Sequence, residues 1–253
     1  MTNKFNFDDG NGPVTAHKHT NGGGWVADTS FVSYTAYVHA DAQVFKNAQV
    51  FGDAIVSGHA KVSGLAQVFE NAQVFGDAEV SGNAKVFGDA KIYENARVLG
   101  NAKVCENAHV FGDAIMSGDA WVYGDADVYG DAIVSGHAKV YGDATVFENA
   151  EVYETVQVYS DAKVFGFSKV YGNAQVFGDA IVSGQAKVYG NAKINGNAGV
   201  SGNVTVSGDV KVYGNAEVYG DAKVSGNAKV CGDAKVYENA EVTGNDLVYG
   251  EVK

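Results

Sequence analysis

Four aspartates, Asp125, Asp143, Asp161 and Asp179, recur every 18 residues, and Asp89 precedes Asp125 by two such intervals. A fold that stacks positions 18 apart would line up these carboxylates, and a hard cation such as calcium takes several oxygens at close range. They are therefore candidate metal ligands. The competing reading is that aspartate is a good corner residue beside glycine, its charge screened by solvent. This second reading takes precedence.

Histidine offers general-base or zinc chemistry, but either use needs convergence. A base must lie within hydrogen-bond reach of the proton it takes, and a zinc site gathers three or four ligands. His39, His59, His109 and His137 fall at different phases of the repeat described next. They are expected to be surface residues, so no catalytic residue and no cofactor is assigned.

The elements that would position these groups come from one pattern. From Val26 to Val248 a six-residue period, Ala-x-Val-z-Gly-Asn/Asp, runs without insertion or deletion. Its large slot departs from Val only at Ile92, Met116 and Ile194. Its small slot departs from Ala at Ser30, Val156, Ser168, Val204, Val210 and Asp246. Two apolar slots two residues apart define a half-buried strand, with x and z facing outward. The Gly-Asn or Gly-Asp pair favours a bend at positive φ, so each hexad reads as one strand and one corner. Antiparallel hairpins would tolerate an occasional insertion at a corner. A solenoid forbids it, because one extra residue turns the inner face outward.

Composition agrees. The 253 residues include 33 glycines and one proline, Pro13, which leaves the repeat free of the residue that cannot donate to a sheet ladder. A net charge of -12 argues against direct binding to a nucleic-acid phosphate backbone. No apolar run is long enough for a membrane span, and the N-terminus lacks a signal-peptide core. The expected location is cytoplasmic, or within a phage particle.

The unit Val-z-Gly-Asn-Ala-x resembles the hexapeptide repeat of left-handed β-helix proteins, written aliphatic, small or acidic, any, any, small, any. It fits both inward slots and departs at the second position, where Tyr, Phe or Ser often stands. The resemblance covers about nine tenths of the chain. It implies an all-β fold, a single left-handed parallel β-helix with three hexads per 18-residue coil and about 12 to 13 coils. Residues 1–24 read as an N-terminal cap and 25–253 as the helix. The segment from His17 to Val26 is similar to the lead-in of such proteins from bacteria and phages, some polymer-forming and some acyltransferase-like. Trp25 is expected to close the apolar core of the first coil.

Eighteen-residue coils sort the outward z slots into three faces. The first carries Phe51, Phe69, Phe87, Cys105, Tyr123, Tyr141, Tyr159, Phe177 and later Cys231. The second carries Phe75, Tyr93, Phe111, Tyr129, Phe147 and Phe165. The third is mostly serine, interrupted by Tyr153, Tyr171 and Tyr189. Rings at about 4.8 Å would stack and shield one another. Two such columns also form a larger apolar strip than a monomer usually exposes, which makes them candidate interfaces. Cys105 and Cys231 share a column on the order of 34 Å apart at about 4.8 Å per coil, too far for a disulfide.

The resulting expectation is a non-catalytic scaffold of bacterial or phage origin. It would form a dimer or trimer, or present its aromatic faces to a protein or glycan partner. One alternative implied by the resemblance is a trimeric acyltransferase with a histidine base, although the array lacks the loop or added domain that shapes such pockets. Zinc hydration would need three converging histidines, and ice binding would need Thr-x-Thr rows; neither is present. A third reading is an acidic decoy for a host nucleic-acid-binding or defence protein. Lys61, Lys85, Lys103, Lys139, Lys163, Lys187 and Lys211 interrupt the acidic field and weaken it.

Overall fold

The computed structural model describes residues 3–253. The described chain is all-β, a parallel solenoid of about 13 coils with an 18-residue period. It divides into two compact units, Met1–Gly124 and Asp125–Lys253.

Within each unit the hexads contribute short strands whose large-slot Val, Ile or Met is buried, with Val32 in the first coil only half-buried. Strands 18 residues apart pair in parallel: Gln49–Val50 with Gln67–Val68 with Lys85–Val86 in the first unit, and Gln157–Tyr159 with Gln175–Phe177 with Lys193–Ile194 in the second. The alternation Ala in, x out, Val in, z out holds along most of the repeat, because a strand sends successive side chains to opposite faces; Asp246 in a small slot is exposed, and Phe45, Cys105 and Cys231 in z slots are buried. Burying each Val contributes about 1.5 to 3 kcal/mol. Ordering the backbone costs about 1 to 2 kcal/mol per residue, so the ladder bonds between coils are as necessary as the core.

The corners explain the glycine. At Gly52, φ is +70°, and a Cβ there would lie 2.9 Å from the backbone nitrogen of Glu70 in the next coil. The same slot nevertheless holds residues with side chains at positive φ, among them Glu70, Glu94, Glu106, Glu148 and Glu154.

The N-terminal segment is built differently. Strand β1 (Lys4–Phe5) pairs antiparallel with β2 (Val14–Lys18), which pairs antiparallel with β3 (Trp25–Ala27), the first rung of the third face. Strand β3 then pairs in parallel with Gln43–Val44. The edge of the first coil on this face is thus covered by the chain's own hairpin. Trp25 occupies an outward slot, and Val26 rather than Trp25 enters the coil interior. Its ring stacks on Phe5 at 4.4 Å, while Phe7 stacks on Phe45 at 4.8 Å. Phe7, Ala16, Ala27 and Phe45 form a small separate core outside the coil. The expected plug is therefore an aromatic clasp on the outer surface, favoured because Phe5 and Phe7 supply apolar partners that the repeat lacks. At the same end His19 is buried and its Nε2 donates to the Ala36 carbonyl at 3.1 Å.

Candidate functional site

The z side chain follows the buried Val and stands at the end of a two-residue strand, so its direction is fixed by the parallel register. A ring there lies flat against a ring one coil away wherever the neighbouring coil also carries a ring in this slot. In the first unit Phe51, Phe69 and Phe87 stack at 4.9 Å with interplanar angles of 5° and 1° on the first face. Phe75, Tyr93 and Phe111 do the same on the second, at 4.9 and 4.7 Å.

In the second unit Tyr141, Tyr159 and Phe177 stack at 4.9 and 4.8 Å on the first face. Tyr129, Phe147 and Phe165 stack at 5.0 and 4.7 Å on the second. The rings are half-buried, their flat sides covered by neighbours and their edges outward. Partial burial pushes the Tyr141 and Tyr159 phenols above the usual tyrosine value, with the neighbouring Tyr141 adding to the effect at Tyr159. A polar hydroxyl at the rim of an apolar strip suits a surface that is dry in its middle and wet at its border.

One column was underrated by sequence reasoning. Tyr153, Tyr171 and Tyr189, read as interruptions of a serine face, stack at 5.1 and 4.8 Å. Their exact 18-residue spacing was the available signal. The first-face column is also not uniform, because Cys105 occupies its outward slot yet is only 2% exposed. Trp121 covers it, the indole Nε1 donating to Sγ at 3.3 Å, and Tyr123 tilts against Trp121 at 43°. Burial raises the Cys105 thiol pKa, while the indole hydrogen bond pulls it down. Cys231 is likewise buried, its Sγ donating to the Val248 carbonyl at 3.7 Å. Both cysteines are free thiols.

The remaining candidates lie apart from the rings. Asp143, Asp161 and Asp179 are exposed on successive corners, and Asp125 begins the same series. Among the described residues no group of three or more His, Cys, Asp or Glu side chains gathers closely enough to hold a metal ion. His59 and His137 occupy corners, and His109 meets the Tyr93 ring edge-on at 6.3 Å.

Elsewhere the corners carry a side-chain ladder that sequence reasoning missed. Asn173 donates to Asn191 at 3.1 Å, and Asn191 to Asp209 at 2.7 Å. Asn197 donates to Asn215 and Asn215 to Asp233, at 3.0 and 2.9 Å. Each run points toward the C-terminus and stops at an aspartate, which can accept but not donate. The signal was the order of Asn and Asp at 18-residue spacing. Comparison with protein-family models and with curated protein sequences found no match.

Proposed function

We propose that the chain is a left-handed β-helix of the hexapeptide-repeat kind, serving as a rigid, non-catalytic scaffold that associates with other copies of itself through its ring columns. The observation that carries this reading is the stack Tyr141, Tyr159 and Phe177, held parallel within 4° at 4.8 to 4.9 Å on a flat sheet. Aromatic side chains are enriched at association surfaces, and here their rotamer entropy is already lost to stacking. A partner therefore meets a preorganised strip. The corner turns are uniform in length along the repeat, so no loop stands above the strip to block approach.

Hydroxyl-radical footprinting tests the reading. The rings of the first-face column should be protected at high protein concentration and become reactive on dilution. Reactivity of Tyr141, Tyr159 and Phe177 that does not change with concentration contradicts it.

A further inference from the structure

The second-face ring column of the second unit is broken once. Phe147 and Phe165 stack at 4.7 Å, and Tyr219 and Tyr237 at 5.3 Å, but the two intervening coils carry Ser183 and Ser201 in the same slot. Phe165 and Tyr219 therefore each turn one uncovered ring face into the gap. At about 4.8 Å per coil they stand about 14 Å apart, which leaves the space of two absent rings.

The x slots deepen the same gap. Gly199 separates Ile181 from Glu217 and is the only glycine in an x slot of the repeat. Its rung is regular, paired with Ile181 on one side and Glu217 on the other, and a Cβ there would meet nothing within 4 Å. Neither a bulge nor crowding calls for glycine here. Glycine inside a strand weakens it and often marks the close approach of a ligand. The result is an open cavity of about 430 Å³, bounded by Ile181, Ser183, Gly199, Ser201, Glu217 and Tyr219.

The lining selects among flat ligands. Tyr219 offers an aromatic face, and the hydroxyls of Ser183 and Ser201 have no hydrogen-bond partner among the described residues. Lys235 lies 3.6 Å from Oε2 of Glu217, which leaves Oε1 to accept from a ligand. An aromatic side chain inserted here would cover both serine hydroxyls without pairing them, at a cost in desolvation. A phosphate-bearing heterocycle would bring like charges together at Glu217. A pyranose ring avoids both penalties. Its apolar C–H face suits the tyrosine ring, and its rim of hydroxyls can donate to the carboxylate and exchange hydrogen bonds with serine.

We infer that this gap binds a sugar residue of a glycan, which stands over Ser201 against Tyr219 as one more member of the column while Glu217 accepts from its hydroxyls. The site uses none of the first-face residues to which self-association is assigned above.

Saturation-transfer NMR of the full chain with the methyl pyranosides of glucose, galactose, mannose and N-acetylglucosamine is the test. At least one sugar should receive saturation, strongest at its ring C–H protons. Ser201→Tyr restores a ring to the column and Gly199→Lys fills the x slot, so each should abolish the signal in protein that melts no lower than the parent. Glu217→Ala should weaken binding about tenfold, through loss of a hydrogen bond to a charged group. Absence of saturation in every sugar, or saturation that persists in Ser201→Tyr and Gly199→Lys, overturns the inference. If the sugars are inert and Ser201→Tyr instead lowers the protein's mass in solution, the gap receives a ring from a second copy and not a saccharide.

Discussion

The carboxylate of Glu70 accepts a hydrogen bond from the backbone N–H of Gly88, one coil further along, at 2.8 Å. Glu94 with Gly112, Glu106 with Gly124 and Glu154 with Gly172 repeat the relation at 2.8 to 2.9 Å. A non-glycine residue at φ near +60° costs on the order of 1 to 3 kcal/mol. A hydrogen bond to a charged group returns about 1.5 to 3 kcal/mol. At these four corners the two nearly cancel, whereas Glu148 and Glu238 hold the same positive φ without this bond among the described residues.

This balance gives a first prediction. Glu70→Gly should change stability by less than about 1 kcal/mol, because strain and hydrogen bond leave together. Gly88→Ala should cost about 1 to 3 kcal/mol, since its φ is +72° and the new Cβ would lie 2.7 Å from the Glu106 backbone nitrogen. Denaturant midpoints of the two variants check the contrast, and equal effects would contradict it.

Much of the fold was legible because one constraint repeats. Val68 had to be buried and Gln67 exposed, and the absence of insertions required parallel stacking; the pairing of Gln67 with Lys85 follows. What could not be read came from contacts outside the period. The covering of Cys105 by Trp121 depends on an indole reaching across from the next coil's x slot. The clasp of Phe5 on Trp25 depends on how residues before the repeat fold back. The ring columns are legible as columns, since spacing alone places Phe51 over Phe69, but Tyr153, Tyr171 and Tyr189 read as interruptions because serines precede and follow them at the same 18-residue spacing.

The core offers a second prediction. Ser168 stands in the small slot, fully buried, and its hydroxyl has no hydrogen-bond partner among the described residues. An unsatisfied buried polar group costs about 1 to 3 kcal/mol, so Ser168→Ala should raise stability by roughly that amount. Ala126→Leu in the same kind of slot should lower it by about 1 to 3 kcal/mol through overpacking. Unchanged melting of both variants would place these side chains outside the core.

Thiol chemistry provides a third. Cys105 should resist alkylation by iodoacetamide in the native protein, since burial both blocks access and raises its pKa. Trp121→Ala removes the cover and should accelerate modification. Rapid labelling of Cys105 in the parent protein would contradict the arrangement.

The tyrosine columns give a fourth, in alkali. Burial raises the phenol pKa values of Tyr141, Tyr159 and Tyr171 in the folded state above the unfolded value of about 10. A raised folded pKa means that the stabilisation is present below about pH 10 and is lost as pH climbs through the folded values. Phenolate absorbance should therefore rise later in the native protein than in denatured protein, and stability should fall above about pH 10. Coincident titration curves would remove this contribution.

Mass in solution decides whether the ring columns are an association surface. Light scattering on the intact protein at micromolar concentration should give a mass that is a multiple of the 26.4 kDa chain. Tyr141→Ser/Tyr159→Ser/Phe177→Ser should return that mass to a single chain. A 26.4 kDa particle from the intact protein, or a multimer unaffected by the triple substitution, would mean that the columns do not hold copies together.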